Sequence, residues 1–230
     1  MEFKKGFTLA EVLITLVIIG VIAAMTIPTL INKTNEQETV TAVKKAYSVL
    51  GQAYQKVIAE NGEIIPSTLG ADSAEATKTL GEMFSKQLST SKICGMSTNE
   101  DCFAIGQYKY INGANFSDYN LSTIHFKMRL NDGMSVAFHV WRPSYLNLGN
   151  TESLSHAFSA VDVDINGDKG PNTYGKDMFG FHITKYGVLP YGTPNDTAYT
   201  LSDCKTLGHG CAAWVIKNGN MDYLRKDVSW

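Results

Sequence analysis

From Phe7 to Ile31 the chain runs apolar for 25 residues with a single charge, Glu11. A helix rises about 1.5 Å per residue, so about 20 such residues cross a bilayer core; the pattern predicts a membrane-spanning helix. Further on, Val40, Val43, Tyr47, Leu50, Tyr54 and Val57 recur at spacings of three and four. That stripe predicts an amphipathic continuation over residues 32–61 whose apolar side packs on the core of a globular domain, with a separate coiled coil as the alternative. Pro28 removes a backbone donor and crowds the preceding turn, which predicts a kink. Gly51 is a weaker soft point. Asn61-Gly62 predicts the end of the helix, since glycine tolerates the left-handed cap conformation.

After Gly62 the period changes. Residues 73–89, SAEATKTLGEMFSKQLS, read as a short helix with Leu80, Met83, Phe84 and Leu88 on one side and Ser73 as its cap. Ile124, Phe126, Met128 and Leu130 then alternate with polar residues; after Asn131-Asp132-Gly133 the pattern resumes in Met134, Val136, Phe138 and Val140. This predicts a hairpin with one buried face. Val161, Val163 and Ile165 make another alternating set, and Phe179, Phe181 and Ile183 a further one. The economical arrangement is α+β: a C-terminal antiparallel sheet, in a head of residues 62–230, laid over the amphipathic half of the long helix.

Composition narrows the class. With 230 residues, 44% hydrophobic and 18% charged, the chain is long and apolar enough for one good-sized domain plus an appended segment. A net charge of −2 argues against a general nucleic-acid coat, which recruits excess Lys and Arg. Lys4 and Lys5 precede the apolar run, while Lys33 is soon followed by Glu36 and Glu38; the positive-inside bias keeps the N-terminus cytoplasmic and exports the rest. In an exported chain Cys94, Cys102, Cys204 and Cys211 read as disulfides. Three connectivities are open, and the short spacings favour the two local pairs. A secretory signal peptide cut near Ile22-Ala23-Ala24 is the alternative reading of the N-terminus. The charge inside the run and the unbroken helical character beyond it count against that. An acid at mid-bilayer costs about 2.5–3.5 kcal/mol and so calls for a partner and a task.

Gly6-Phe7-Thr8-Leu9-Ala10-Glu11, behind two lysines and ahead of the apolar run, resembles the class III signal of type IV pilins and type II secretion pseudopilins. The resemblance covers about the first 30 residues. It implies that a prepilin peptidase removes a leader of residues 1–6 after Gly6 and methylates the new amine of Phe7, and that residues 7–31 form a filament-core helix. It implies that Glu11 directs assembly by meeting the terminal amine of a neighbouring subunit. Gly20 and Pro28 match positions of helix breakers, between which related filaments partly unwind. Implied partners are other pilin or pseudopilin subunits, an inner-membrane assembly platform and, before assembly, the membrane. The implied location is the bacterial inner membrane, with a periplasmic or extracellular head, and then a filament. The implied fold is a pilin fold.

Two further stretches bear candidate chemistry. DVDINGDKGPNTYGKD, from Asp162 to Asp177, sets Asp162, Asp164, Asn166 and Asp168 at alternate positions with Gly167 between. Oxygen ligands at that spacing suit a hard cation such as calcium, although Thr173 stands where an EF-hand needs a bidentate glutamate. Major pseudopilins carry a calcium site in the C-terminal loop region, and this stretch is similar without matching residue by residue. The candidate ligands are Asp164, Asn166, Asp168 and Asp177, with Asp162 beside them; the bland reading is strand and turn residues. His125 should face His139 across the hairpin, with His182 on the same polar side, and an exposed sheet face is the ordinary fate of such residues. His209 lies between Cys204 and Cys211, where a disulfide outweighs zinc. No Gly-x-Ser-x-Gly, His-Glu-x-x-His, phosphate loop or dinucleotide fingerprint occurs, so the reading is of a non-enzyme. Three functions follow in order: a structural pilus or pseudopilus subunit, a minor pilin whose head binds DNA, a surface or a secreted substrate, and an exported, anchored enzyme.

Overall fold

The structure, a computed structural model, describes residues 8–230, and the expected processing pair Gly6 and Phe7 lies outside the described residues. The chain divides after Glu38 into two compact units. Helix α1 spans Leu9–Asn61. In the first unit it carries the apolar run, with Leu9, Ile14, Val17, Ile19, Met25 and Leu30 all exposed. It is long and apolar enough to cross a membrane. The helix is assigned without a break through Gly20, Pro28 and Gly51. It stops at Asn61, where Gly62 takes φ +76° and its N–H bonds the carbonyl of Ile58 at 2.8 Å, as the Asn-Gly pair foretells.

In the second unit the predicted stripe is the buried one. Val40, Val43, Leu50, Tyr54 and Val57 lie in a core with Leu80 and Phe84 of helix α2 (Ser73–Ser85). The sheet has six strands: β1 (Thr90–Gly95), β2 (Phe126–Leu130), β3 (Ser135–Val140), β4 (Ala157–Asp164), β5 (Met178–Thr184) and β6 (Gly187–Pro190). They pair antiparallel in chain order, which is the α+β layout expected. The β2–β3 turn follows its sequence: Leu130 N–H bonds Met134 at 2.8 Å, and Gly133 takes φ +91°. Met128, Val136, Phe138, Val161, Val163, Phe179 and Phe181 meet the helices. Tyr47 stacks on Phe181 at 6.1 Å and Phe84 leans on Phe138 at 4.8 Å. Each such side chain contributes about 1.5–3 kcal/mol by leaving water, so this face anchors the head.

Several expectations are corrected. The cap of α2 is Asp72, whose carboxylate accepts the N–H of Glu75, while Ser73 Oγ donates to the carbonyl of Trp141. The helix also stops at Ser85, short of residue 89. The second face of the sheet is buried too: His125, Lys127, Asp162, Asp164 and His182 are all inside. That face is covered by a second core holding Phe103, Tyr108, Tyr119 and Tyr174, and the hydroxyls of Tyr108 and Tyr119 meet the carboxylates they cover. Short helices α3 (Leu201–Thr206) and α4 (Ala212–Asn218) complete the head. The disulfides are the two local pairs, Cys94–Cys102 and Cys204–Cys211.

Candidate functional site

The first turn of α1 holds Glu11 in a reciprocal cap. Thr8 lies just before the first helical residue, where backbone donors have no partner within the helix. Glu11 Oε2 accepts both the N–H and the hydroxyl of Thr8 at 2.8 Å, and the Glu11 N–H returns to Thr8 Oγ1 at 3.2 Å. This is a capping box, in which threonine and glutamate three residues apart satisfy each other's backbone ends. The acid thus sits at the positive end of the helix dipole, which favours a negative charge. Among the described residues its oxygen is held by the neutral donors of Thr8. A cation brought there would find a carboxylate already ordered.

The acidic turn is built differently from a row of free ligands. Asp164 accepts the Tyr108 hydroxyl at 2.5 Å and the N–H groups of Asn166 and Gly167 at 3.1 and 3.0 Å. Asp177 accepts the N–H groups of Asn172 and Thr173 at 2.7 and 2.6 Å, and the Asn166 amide at 3.4 Å. The structure therefore brings Asp164, Asn166 and Asp177 together. Asp168 is engaged by Arg129, one bond being Nη1 to Oδ2 at 2.6 Å. Asp162 takes the Tyr119 hydroxyl at 2.8 Å, which also meets Tyr174 at 3.0 Å. Burial pushes Asp164 up to about 7 and Asp162 up to about 6, and it raises Asp177 as well. Among the described residues no three or more His, Cys, Asp or Glu side chains are grouped to hold a metal. Calcium takes six to eight oxygens, and among the described residues the buried acceptors of the turn without a partner are three, Asp162 Oδ1 and the amide oxygens of Asn166 and Asn172.

The comparisons bear on the N-terminal turn. Residues 2–27 match the prokaryotic N-terminal methylation motif. This motif is the signature of type IV pilins and pseudopilins, and it implies a precursor of that type. The methylation motif takes in Thr8 and Glu11 and most of the exposed apolar helix. It implies processing by prepilin peptidase and assembly with other pilins, and together with the apolar helix it fits a membrane-anchored subunit that later enters a filament. It points to a structural subunit. No curated protein and no solved structure matches the chain.

His125, His182 and His209 are interior groups, and His139 is half-buried. His125 and His139 do face each other, with ring centres 5.2 Å apart. His125 is buried, bonded to Ser122 Oγ at 2.6 Å, and held down to about 3 by burial and then by His139 and Lys127. Lys127, 2% exposed, donates to the carbonyls of Ser97 and Ser122 at 2.7 and 2.6 Å. His182 pairs with buried Asp196 at 2.8 Å. His209 packs edge-on to Tyr174 at 4.2 Å, and burial holds it down to about 4. The sequence alone assigns no partner role to Thr8, Arg129, Tyr108 or Tyr119. Only Thr8 had a local signal, the Thr-x-x-Glu spacing; the others act across strands or loops.

Proposed function

We propose that the chain is a structural subunit of a type IV pilus or a type II secretion pseudopilus, processed after Gly6 and assembled through its N-terminal helix. The observation that supports this most is the Thr8–Glu11 cap, which falls inside the methylation motif and orders the one acid of the apolar run. Cleavage creates a positive amine at Phe7, and a charge in an apolar layer is tolerated chiefly when paired. The Glu11 carboxylate of one subunit takes the amine of a neighbour, exchanging neutral Thr8 donors for a charged one; a charge-assisted hydrogen bond is about twice as strong as a neutral one. The partners are other subunits of the same or a related kind and the inner-membrane platform that lifts them.

Terminal sequencing with mass spectrometry tests the processing step. A mature chain beginning at N-methylated Phe7 supports the reading, whereas cleavage near Ala24 sinks it. Filament imaging with Glu11→Ala tests the pairing: filament yield should collapse while processing continues, and undiminished filaments would refute the role given to Glu11.

A further inference from the structure

The acidic turn of residues 162–177 has the oxygen-rich sequence of a calcium loop, yet its geometry answers Asp164, Asp168 and Asp177 from within. Paired residues on neighbouring strands share a face; Arg129 pairs with Ser135, and Ser135 pairs with Asp164, so Arg129 stands two strands from Asp164 on the same side. Its guanidinium grips both oxygens of Asp168 and is close enough to Asp164 and Tyr108 to interact with them electrostatically. The Arg129 side chain is only 21% exposed, so its charge is directed at the turn more than at solvent. A planar guanidinium with two parallel bonds matches a carboxylate better than any other side chain. Of the remaining carboxylates, Asp164 and Asp177 each take three hydroxyl or N–H donors, and Asp162 takes the Tyr119 hydroxyl on one oxygen only. The three unpartnered acceptors, Asp162 Oδ1 and the amide oxygens of Asn166 and Asn172, fall well short of the six to eight that calcium requires.

We infer that Arg129 is the resident cation of this turn, and that the head folds and holds its shape without a divalent ion. The inference is independent of the assembly role proposed above, since it concerns only the head. The turn spends its aspartates on its own backbone: Asp164 and Asp177 each cap two successive N–H groups, which fixes the loop around Gly167.

Thermal unfolding of the full chain in detergent micelles, in calcium chloride and in EGTA, tests this. The wild-type melting temperature should be the same in both. Arg129→Met should melt several degrees lower in EGTA, and calcium should recover part of the loss, because carboxylates deprived of their internal cation take an external one. Arg129→Lys keeps the charge and should stay indifferent to calcium even where the bidentate grip is lost. A wild-type protein that melts lower in EGTA overturns the inference. So does an Arg129→Met variant that melts like wild type, or one whose loss calcium does not touch.

Discussion

Acidification from pH 7 to pH 5 tests the polar layer beneath the second face of the sheet. His125 has an ordinary value of 6.5 and is held down to about 3 in the folded chain. The unfolded chain therefore takes up a proton below 6.5 that the folded chain refuses, and stability falls with pH across that window, by about 2 kcal/mol at pH 5. His209, held down to about 4, costs about 2 kcal/mol more over the same interval. Asp164 and Asp162 act in the opposite sense. Their folded values, about 7 and about 6, lie above the ordinary 3.8, so the folded chain binds protons first. Their ionisation penalty is complete above pH 7 and is relieved as pH falls, giving back about 2 and about 1 kcal/mol. Losses and gains oppose each other, so the wild-type melting temperature should change less between the two pH values than either set alone would make it. Removing one side of the balance uncovers the other. Relative to wild type, the melting temperature of His125→Phe should rise by about 4–8 °C on going from pH 7 to pH 5, at about 2–4 °C per kcal/mol for a domain of this size. Relative to wild type, the melting temperature of Asp164→Asn should fall by a similar amount over the same interval. Circular-dichroism melts in detergent micelles at the two pH values read this directly. An unchanged, flat profile in both variants would refute the reasoning.

Three more outcomes follow from contacts in the head. Tyr108→Phe strips Asp164 of its 2.5 Å hydroxyl donor and should cost about 1.5–3 kcal/mol, as expected for a bond to a charged group; an unchanged urea midpoint would deny that the bond matters. Gly180→Ala places a Cβ 2.1 Å from the Tyr191 ring, which is buried and stacked on Tyr199 at 4.0 Å. It should destabilise by about 1–3 kcal/mol through overpacking, and a fully stable variant would show that the ring can yield. Replacing Cys204 and Cys211 together by alanine opens a loop closed over seven residues. It should lower stability by about 2–3 kcal/mol, measured as the shift in urea midpoint at equal slope.

Much of the first face was legible because it is periodic. Val43, Leu50, Tyr54 and Val57 are spaced to share one side of a helix, and Met128, Val136, Val161 and Phe181 fall on one parity of their strands; each pattern is local and survives whatever packs on it. The N-terminal signal was legible for a related reason, since Gly6, Phe7, Thr8 and Glu11 lie within one short stretch. The polar parity was misread. Alternation tells which residues share a face and is silent on what covers that face, so His125 and Asp162 looked like solvent-facing positions until Tyr119, 43 residues before Asp162, closed over them. The acidic turn was half legible: its Asx-type turns are written in Asp164-Ile165-Asn166-Gly167, but the cation that answers Asp168 is 39 residues earlier.

By itself, then, the order of residues determined the long apolar helix, the amphipathic stripe, the α+β plan and the methylation motif, and favoured the two local disulfide loops, because each depends on neighbours within a few turns or one strand pair. Only the tertiary structure decided that the sheet has two buried faces, that Arg129 serves the acidic turn, and which hydroxyls neutralise the interior carboxylates. Those choices join segments tens of residues apart through irregular loops, where no period marks the partner and only the space left under the covering rings selects it.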